Sequence, residues 1–148
     1  MRRIRTLVGS TLAALALTAG LSLPATGTAH GDNALASKSF TWNHMTAGDC
    51  TMFHGARWIL YSNGTATFDA TVTSSGNNDA WLMWARLKDA NGAVLGSLAN
   101  ADIQDPADRA KFVKNLPSRT QRYRWFASGS FNAAKYHLIK RMSLGKHC

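Results

Sequence analysis

From Ser39 onward the apolar and polar positions alternate in short runs, each closed by Gly, Asn, Asp or Ser. The clearest run covers residues 64–73. Ala66, Phe68, Ala70 and Val72 share one face, and Thr65, Thr67, Asp69 and Thr71 share the other. That period of two predicts a half-buried β-strand. Residues 56–62 place Trp58 and Leu60 on one face. Asn63-Gly64 between the two runs predicts a tight hairpin, because both residues accept positive φ. After a polar turn at residues 74–78, residues 80–88 carry Trp81, Met83, Ala85 and Leu87 on one face. Leu82, Trp84, Arg86 and Lys88 lie on the opposite face. Further strands are predicted over residues 93–98, 120–127 and 135–142, with weaker ones near 40–44 and 50–53.

One helix is predicted, over residues 105–115. Asp105 is placed to cap the first N–H groups, Pro106 suits the first helical position, and Asp108 suits the positive end of the dipole. Ala107, Ala110, Phe112 and Val113 supply a modest apolar stripe, and Pro117 ends it. Seven or eight short strands joined by tight turns make the expected fold all-β, an antiparallel meander with one short helix. A small barrel is the first expectation because closure removes exposed edges, and a β-sandwich is the alternative.

The first residues read differently. Met1-Arg2-Arg3-Ile4-Arg5 is basic, residues 6–23 are uncharged and rich in Leu and Ala, and Pro24 then breaks the run. The order matches a secretory signal peptide with cleavage after Ala29. A membrane anchor is disfavoured because Gly, Ser and Thr dilute the run. The expected organisation is therefore a signal peptide over 1–29, a flexible lead-in over 30–38 and a single secreted domain over 39–148, with no transmembrane segment after processing. Cys50 and Cys148 are the two cysteines. An even pair in an exported chain reads as a disulfide, with two free thiols or an intermolecular bridge as the alternatives. No Cys-x-x-Cys, His-x-His or His-x-x-x-His spacing is present, so no metal site and no cofactor are expected.

Four stretches, Gly48-Asp49-Cys50-Thr51-Met52, Gly55-Ala56-Arg57-Trp58, Asn63-Gly64-Thr65-Ala66-Thr67-Phe68 and Asp79-Ala80-Trp81-Leu82-Met83-Trp84, resemble a family of small secreted actinobacterial proteins known only as a domain of unknown function. The resemblance runs from about Phe40 to Cys148. It implies export and a compact domain, and it supplies no reaction and no catalytic residue. Trp58-Ile59-Leu60-Tyr61 leading into Asn63-Gly64 gives a looser likeness to calycin-type barrels, which bears on fold alone.

Charge changes the picture most. The chain carries 17 Lys or Arg against 8 acidic residues, all of them Asp, for a formal net charge of +9. The cations are concentrated late: residues 109–148 hold ten basic residues and no acidic one. Lys and Arg are rarely buried unpaired, so much of that charge must face solvent. Arg122 and Arg124 alternate with Tyr123 and Trp125, and Lys140 and Arg141 fall in the next predicted strand. Were those two strands to pair, a basic stripe would form and attract a polyanion such as nucleic acid or a cell-wall polymer. The competing reading is that these cations neutralise the Asp-rich half of the same domain. Of the five tryptophans, Trp58, Trp81 and Trp125 fall on core faces, Trp42 is ambiguous, and Trp84 shares its face with Arg86. The candidate binding residues are therefore Arg122, Arg124, Lys140, Arg141 and Trp84.

A non-catalytic secreted protein that binds an anionic polymer or a protein partner is the expected function. A small phosphodiesterase-like hydrolase is one alternative; it would need His44, His54 and His137 to converge with a cation. A secreted toxin or protease inhibitor is another. The absence of Glu weakens a glycosidase reading, and no Gly-rich phosphate loop or Gly-x-Ser-x-Gly elbow is present.

Overall fold

Within residues 35–148, the part of the chain that the structure, a computed structural model, describes, the period-two runs become eleven strands in two antiparallel sheets. The segment read as a signal peptide and the beginning of the lead-in lie outside the described residues. The first strand, β1 (Ser37–Trp42), already runs through the last two positions of the expected lead-in.

The first sheet is built on β5 (Thr65–Ser74). Along one edge of β5 runs β10 (Tyr123–Ser130). Along the other, β4 (Ala56–Tyr61) pairs with its first half and β3 (Cys50–Met52) with its second. β3 and β4 thus act as one strand bent between Phe53 and Gly55. β1 and β2 (Met45–Ala47) follow its outer side in the same broken fashion. β8 (Ala99–Asn100) closes the far edge over the end of β10. The β4–β5 turn forms as Asn63-Gly64 predicts. Gly64 takes a φ of 86° and its N–H donates to the Tyr61 carbonyl at 3.0 Å. A Cβ there would also lie 2.6 Å from the Phe131 carbonyl oxygen, so this position needs glycine twice over.

The second sheet is built on β6 (Asp79–Lys88). β11 (Arg141–His147) runs along one edge. β9 (Phe112–Leu116) and then β7 (Val94–Ser97) share the other.

Each sheet turns one face inward. β4 and β5 contribute Trp58, Leu60, Ala66, Phe68, Ala70 and Val72; β6 contributes Trp81, Met83, Ala85 and Leu87, all buried as the alternation requires. Trp58 lies 5.0 Å from Phe68 and meets Phe112 of the opposite sheet edge-on at 5.2 Å; Phe68 meets Trp125 edge-on at 5.3 Å. Burying one such side chain contributes roughly 1.5–3 kcal/mol, and this aromatic spine is where the two sheets interlock. The indole N–H groups of Trp58 and Trp81 are buried without an acceptor, a cost of about 1–3 kcal/mol each that the ring burial must offset.

No strand ladder joins the two sheets among the described residues, so the barrel is not closed and the architecture is the alternative, a β-sandwich. The Cys50–Cys148 disulfide supplies a covalent link between them instead. It joins β3 of the first sheet to the residue after β11 of the second, across 98 positions of sequence. Closing a loop of that length removes unfolded-state freedom worth roughly 4–5 kcal/mol on the chain-entropy model.

The helix expected over residues 105–115 does not form. Asp105 does cap: its carboxylate accepts from the Ala107 N–H at 3.0 Å and its carbonyl from Asp108 N–H at 3.1 Å. Asp108 then repeats the device on Ala110 and Lys111, both at 3.1 Å. Two capped turns therefore follow one another where a helix would have to propagate, and a helical nucleus needs further turns to repay its cost. Phe112 and Leu116 gain more as buried ends of β9 against β6. The short helix is elsewhere, a 3-10 turn over Ala133–Leu138 capped by the Asn132 side chain. It replaces the first half of the strand expected over residues 135–142, and β11 begins only at Arg141.

Candidate functional site

Among the described residues, the carboxylates of Asp89, Asp105 and Asp108 accept from backbone N–H groups. Asp89 accepts from the N–H groups of Asn91 and Ala93, both at 2.9 Å. Asp79 accepts from the Ser74 hydroxyl. Asp108 accepts from Ala110 N–H and, through its other oxygen, from the Trp84 indole N–H at 2.7 Å. Among the described residues only two ion pairs form, Lys111 with Asp105 and Arg124 with Asp69. The first holds the Asp105 carboxyl below the usual carboxylate range, chiefly through the Lys111 hydrogen bond and then the Ala107 N–H, and the same bond raises the Lys111 ammonium. Neutralisation of the basic half by the acidic half is therefore limited to two contacts.

The basic half itself is divided. β10 pairs with β5 and β8, whereas β11 pairs with β6, so the stripe that depended on pairing the last two strands is not built. Arg124 lies in β10 of the first sheet, and Arg122 just precedes that strand. Arg122 lies over the Phe53 ring at 4.3 Å. Arg124 lies 5.1 Å from Phe126 and donates to both oxygens of Asp69, at 2.6 Å to Oδ2. Asp69 in turn stands opposite Arg57 in the β4–β5 register. The first sheet thus places a carboxylate among its cations.

On the outer face of the second sheet a carboxylate, Asp108, reaches the Trp84 indole N–H, but among the described residues no cation of that face forms an ion pair. Because Trp81, Met83, Ala85 and Leu87 point into the core, Trp84, Arg86 and Lys88 point out. In the β6–β11 register Lys88 stands directly opposite Arg141, Arg86 opposite Ser143, and Trp84 opposite Gly145. Lys140 donates its backbone N–H to the Lys88 carbonyl at 2.9 Å, which brings a third cation to that end, and its side chain is exposed. Like charges directly opposed across strands are destabilising, so this end of the sheet is electrostatically loaded. Trp84 packs beside Gly145, where a Cβ would make only ordinary contact with it, at 3.6 and 3.8 Å.

Lys38 extends the same positive end. Its ammonium donates to the carbonyls of Tyr136, at 2.5 Å, and Ile139, at 2.8 Å, at the close of the 3-10 turn. Burial, and then the charge of Lys140, lower its pKa. Lys135 of the same turn donates to the Leu95 carbonyl at 2.5 Å. Of the candidates read from sequence, Lys140 and Arg141 therefore come together at one end of this face, Trp84 lies farther along it opposite Gly145, and Arg122 and Arg124 do not join them. Arg86, Lys88 and Lys38 were not among those candidates. The alternation of β6 already placed Arg86 and Lys88 on the Trp84 face, whereas Lys38 is brought in only by tertiary folding.

The three histidines do not converge. His44 meets Phe53 edge-on at 6.2 Å, and His54 follows Phe53 in the β3–β4 bend. His137 lies on the 3-10 turn held by Lys38, at the other end of β1. The sulfurs of Cys50 and Cys148 lie within 4.8 Å of an Asp79 oxygen, but both are occupied by the disulfide.

With this geometry in place, the chain can be set beside known proteins. It belongs to a family of unknown function (DUF6294). The match to that DUF6294 family covers residues 57–148, from the β4 strand to the bridging cysteine, and so includes the whole β6–β11 face. No curated protein and no solved structure matches the chain.

Proposed function

We propose that this protein is a secreted, non-catalytic module that binds an anionic polymer on the outer face of the second sheet. The observation that carries the reading is the direct opposition of Lys88 and Arg141, with Arg86 and Lys140 beside them and no ion pair to any of the four. A cluster of unpaired cations raises the local concentration of a polyanion and releases its counterions on contact. Trp84, spread beside Gly145 on the same face, adds an aromatic surface next to the charge. Export fits the basic and apolar order of residues 1–29 and a disulfide that persists in oxidising surroundings.

The test is binding of the protein to RNA, DNA, a heparin-like polysaccharide and purified cell wall across a salt series, with the polymers checked for cleavage afterwards. Binding to at least one of them should fall steeply with salt, and the Lys88→Ala, Arg141→Ala double variant should lower the log–log slope by about two. Absence of binding at low salt, or an unchanged slope in the double variant, overturns the assignment. Cleavage of a polymer would turn the reading toward the hydrolase alternative.

A further inference from the structure

A cavity of about 270 Å³ opens on the side of the sandwich where β1, an edge of the first sheet, comes beside β11, an edge of the second. It is lined by Trp42, Asn43, His44 and Met45 from one side and by Leu144 and Lys146 from the other. The strand registers fix which way four of these side chains point, because residues directly opposite across a ladder share one face. Trp42 stands opposite Ala56 and Met45 opposite Met52, both buried in the core. Leu144 stands opposite Ala85 and Lys146 opposite Met83, and these are buried as well. All four therefore project from the inner faces of their sheets, into the seam that a closed barrel would have sealed.

The floor of the cavity is apolar. Trp42, Met45 and Leu144 pack on the hydrophobic core and stay only half-buried, so each keeps surface that a ligand can cover. Lys146 shares their inner row but is exposed, so its stem borders that surface while its ammonium reaches solvent. Lys38, which also faces inward, opposite Leu60, donates its ammonium to two carbonyls. Lys146 has no such partner: among the described residues it forms no ion pair, and no acidic residue lines the cavity. The disulfide ties the two walls at one end. Ala47, two positions on from Met45, pairs with Cys50, and Cys148 follows Lys146 by two. A ligand thus meets a preformed shape, which lowers the cost of binding.

We propose that this cavity is a binding site for a small apolar carboxylate. A ring or short hydrocarbon chain covers Trp42, Met45 and Leu144, and the carboxylate lies at the mouth against the Lys146 ammonium. A volume just below that of ordinary ligand cavities suits a molecule of this size. An apolar cation would meet Lys146, a neutral apolar molecule would leave its charge unused, and a polyanion has no apolar part to set on the floor. The site lies in the seam between the inner faces, whereas the polyanion face is the outer surface of the second sheet, so either holds without the other.

The experiment is a ¹H–¹⁵N titration of the protein, at constant ionic strength, with benzoate and hexanoate. Acetate serves as the carboxylate without an apolar part and benzyl alcohol as the ring without a charge. Benzoate or hexanoate should shift the Trp42 indole signal saturably, with Kd on the order of millimolar. Acetate and benzyl alcohol should each bind about tenfold more weakly or less. Lys146→Met keeps the stem and removes the charge, so it should weaken benzoate about tenfold and leave benzyl alcohol unchanged, a difference that a merely structural role for Lys146 would not produce. No saturable shift with benzoate or hexanoate overturns the proposal. So does acetate or benzyl alcohol binding as tightly as they do, or a benzoate affinity unaltered by Lys146→Met.

Discussion

The outer faces of the two sheets carry similar residues on similar strands, and they differ in what stands opposite each cation. On the first sheet Arg124 is met by Asp69, with Thr67 and Thr71 flanking that carboxylate along β5. On the second, Lys88 is met by Arg141. An exposed pair of opposite charges contributes little stability but cancels much of the local field; an exposed pair of like charges costs a little stability and doubles the field. The number of cations therefore says less about where an anion would bind than the register of the strands that hold them.

The largest expected effect concerns what joins the two sheets. Cys50→Ser should lower the thermal midpoint markedly in oxidising buffer, the loss corresponding to roughly 4–5 kcal/mol, while the wild type and the variant should melt alike under reductant. Equal midpoints in oxidising buffer would mean that packing alone unites the sandwich.

Reversing the sign of one cation would sharpen the contrast between the faces. Arg141→Glu should raise stability by about 0.2–1 kcal/mol, because it replaces a like-charge opposition with an attractive pair, and should abolish polyanion binding. Chemical denaturation and a salt-dependent binding assay, run on the same sample, read both. Loss of stability together with loss of binding would show that Arg141 serves the fold.

The opposite manipulation applies to the first sheet. Asp69→Asn should free Arg124 and raise polyanion affinity at low salt, whereas Arg122→Ala with Arg124→Ala in the otherwise unaltered protein should change the salt slope less than the Lys88, Arg141 pair does. A larger effect of the Arg122, Arg124 pair would move the binding face to the first sheet.

The smallest effect is the pH response of the β8–β9 loop. The Asp105 carboxyl titrates below its usual value in the folded protein, so the stability it lends is complete above the unfolded value near 3.8 and is lost as pH falls through the lower folded value. Lys111 is raised, so its share is complete below about 10.5 and is lost as pH rises through the folded value. The Ala107 amide signal, followed by NMR across both windows, should report the loop loosening at each extreme. An invariant signal would show that the turn stands without the ion pair.

Much of the sandwich was legible in the chain. β5 and β6 lie within a residue or two of where the alternation puts them, because a strand buried on one face cannot slip without exposing its whole apolar set. The Asn63-Gly64 turn was legible for the same local reason. The segment around residues 105–115 was not. Its capping residues act as local chemistry predicts, but a cap does not determine whether a helix or a turn follows, and the contact of Phe112 and Leu116 with β6 does. The 3-10 turn at Ala133–Leu138 is not legible because Tyr136 and Leu138 alternate with polar residues much as a strand would, and its end is held by the Ile139 N–H together with the Lys38 ammonium, 98 residues away in sequence from Tyr136.

The amino-acid sequence by itself determined the strand character, the inward faces, the available cysteines and the excess of cations late in the chain, since each follows from neighbours a few residues apart. The tertiary structure decided that β10 and β11 would lie on different sheets, that the sandwich would be linked by a bridge between Cys50 and Cys148, and that Lys88 would face Arg141 while Arg124 would face Asp69. Those outcomes depend on which strand edges meet, and strand pairing is settled by the packing of the whole core rather than by any stretch of chain read alone.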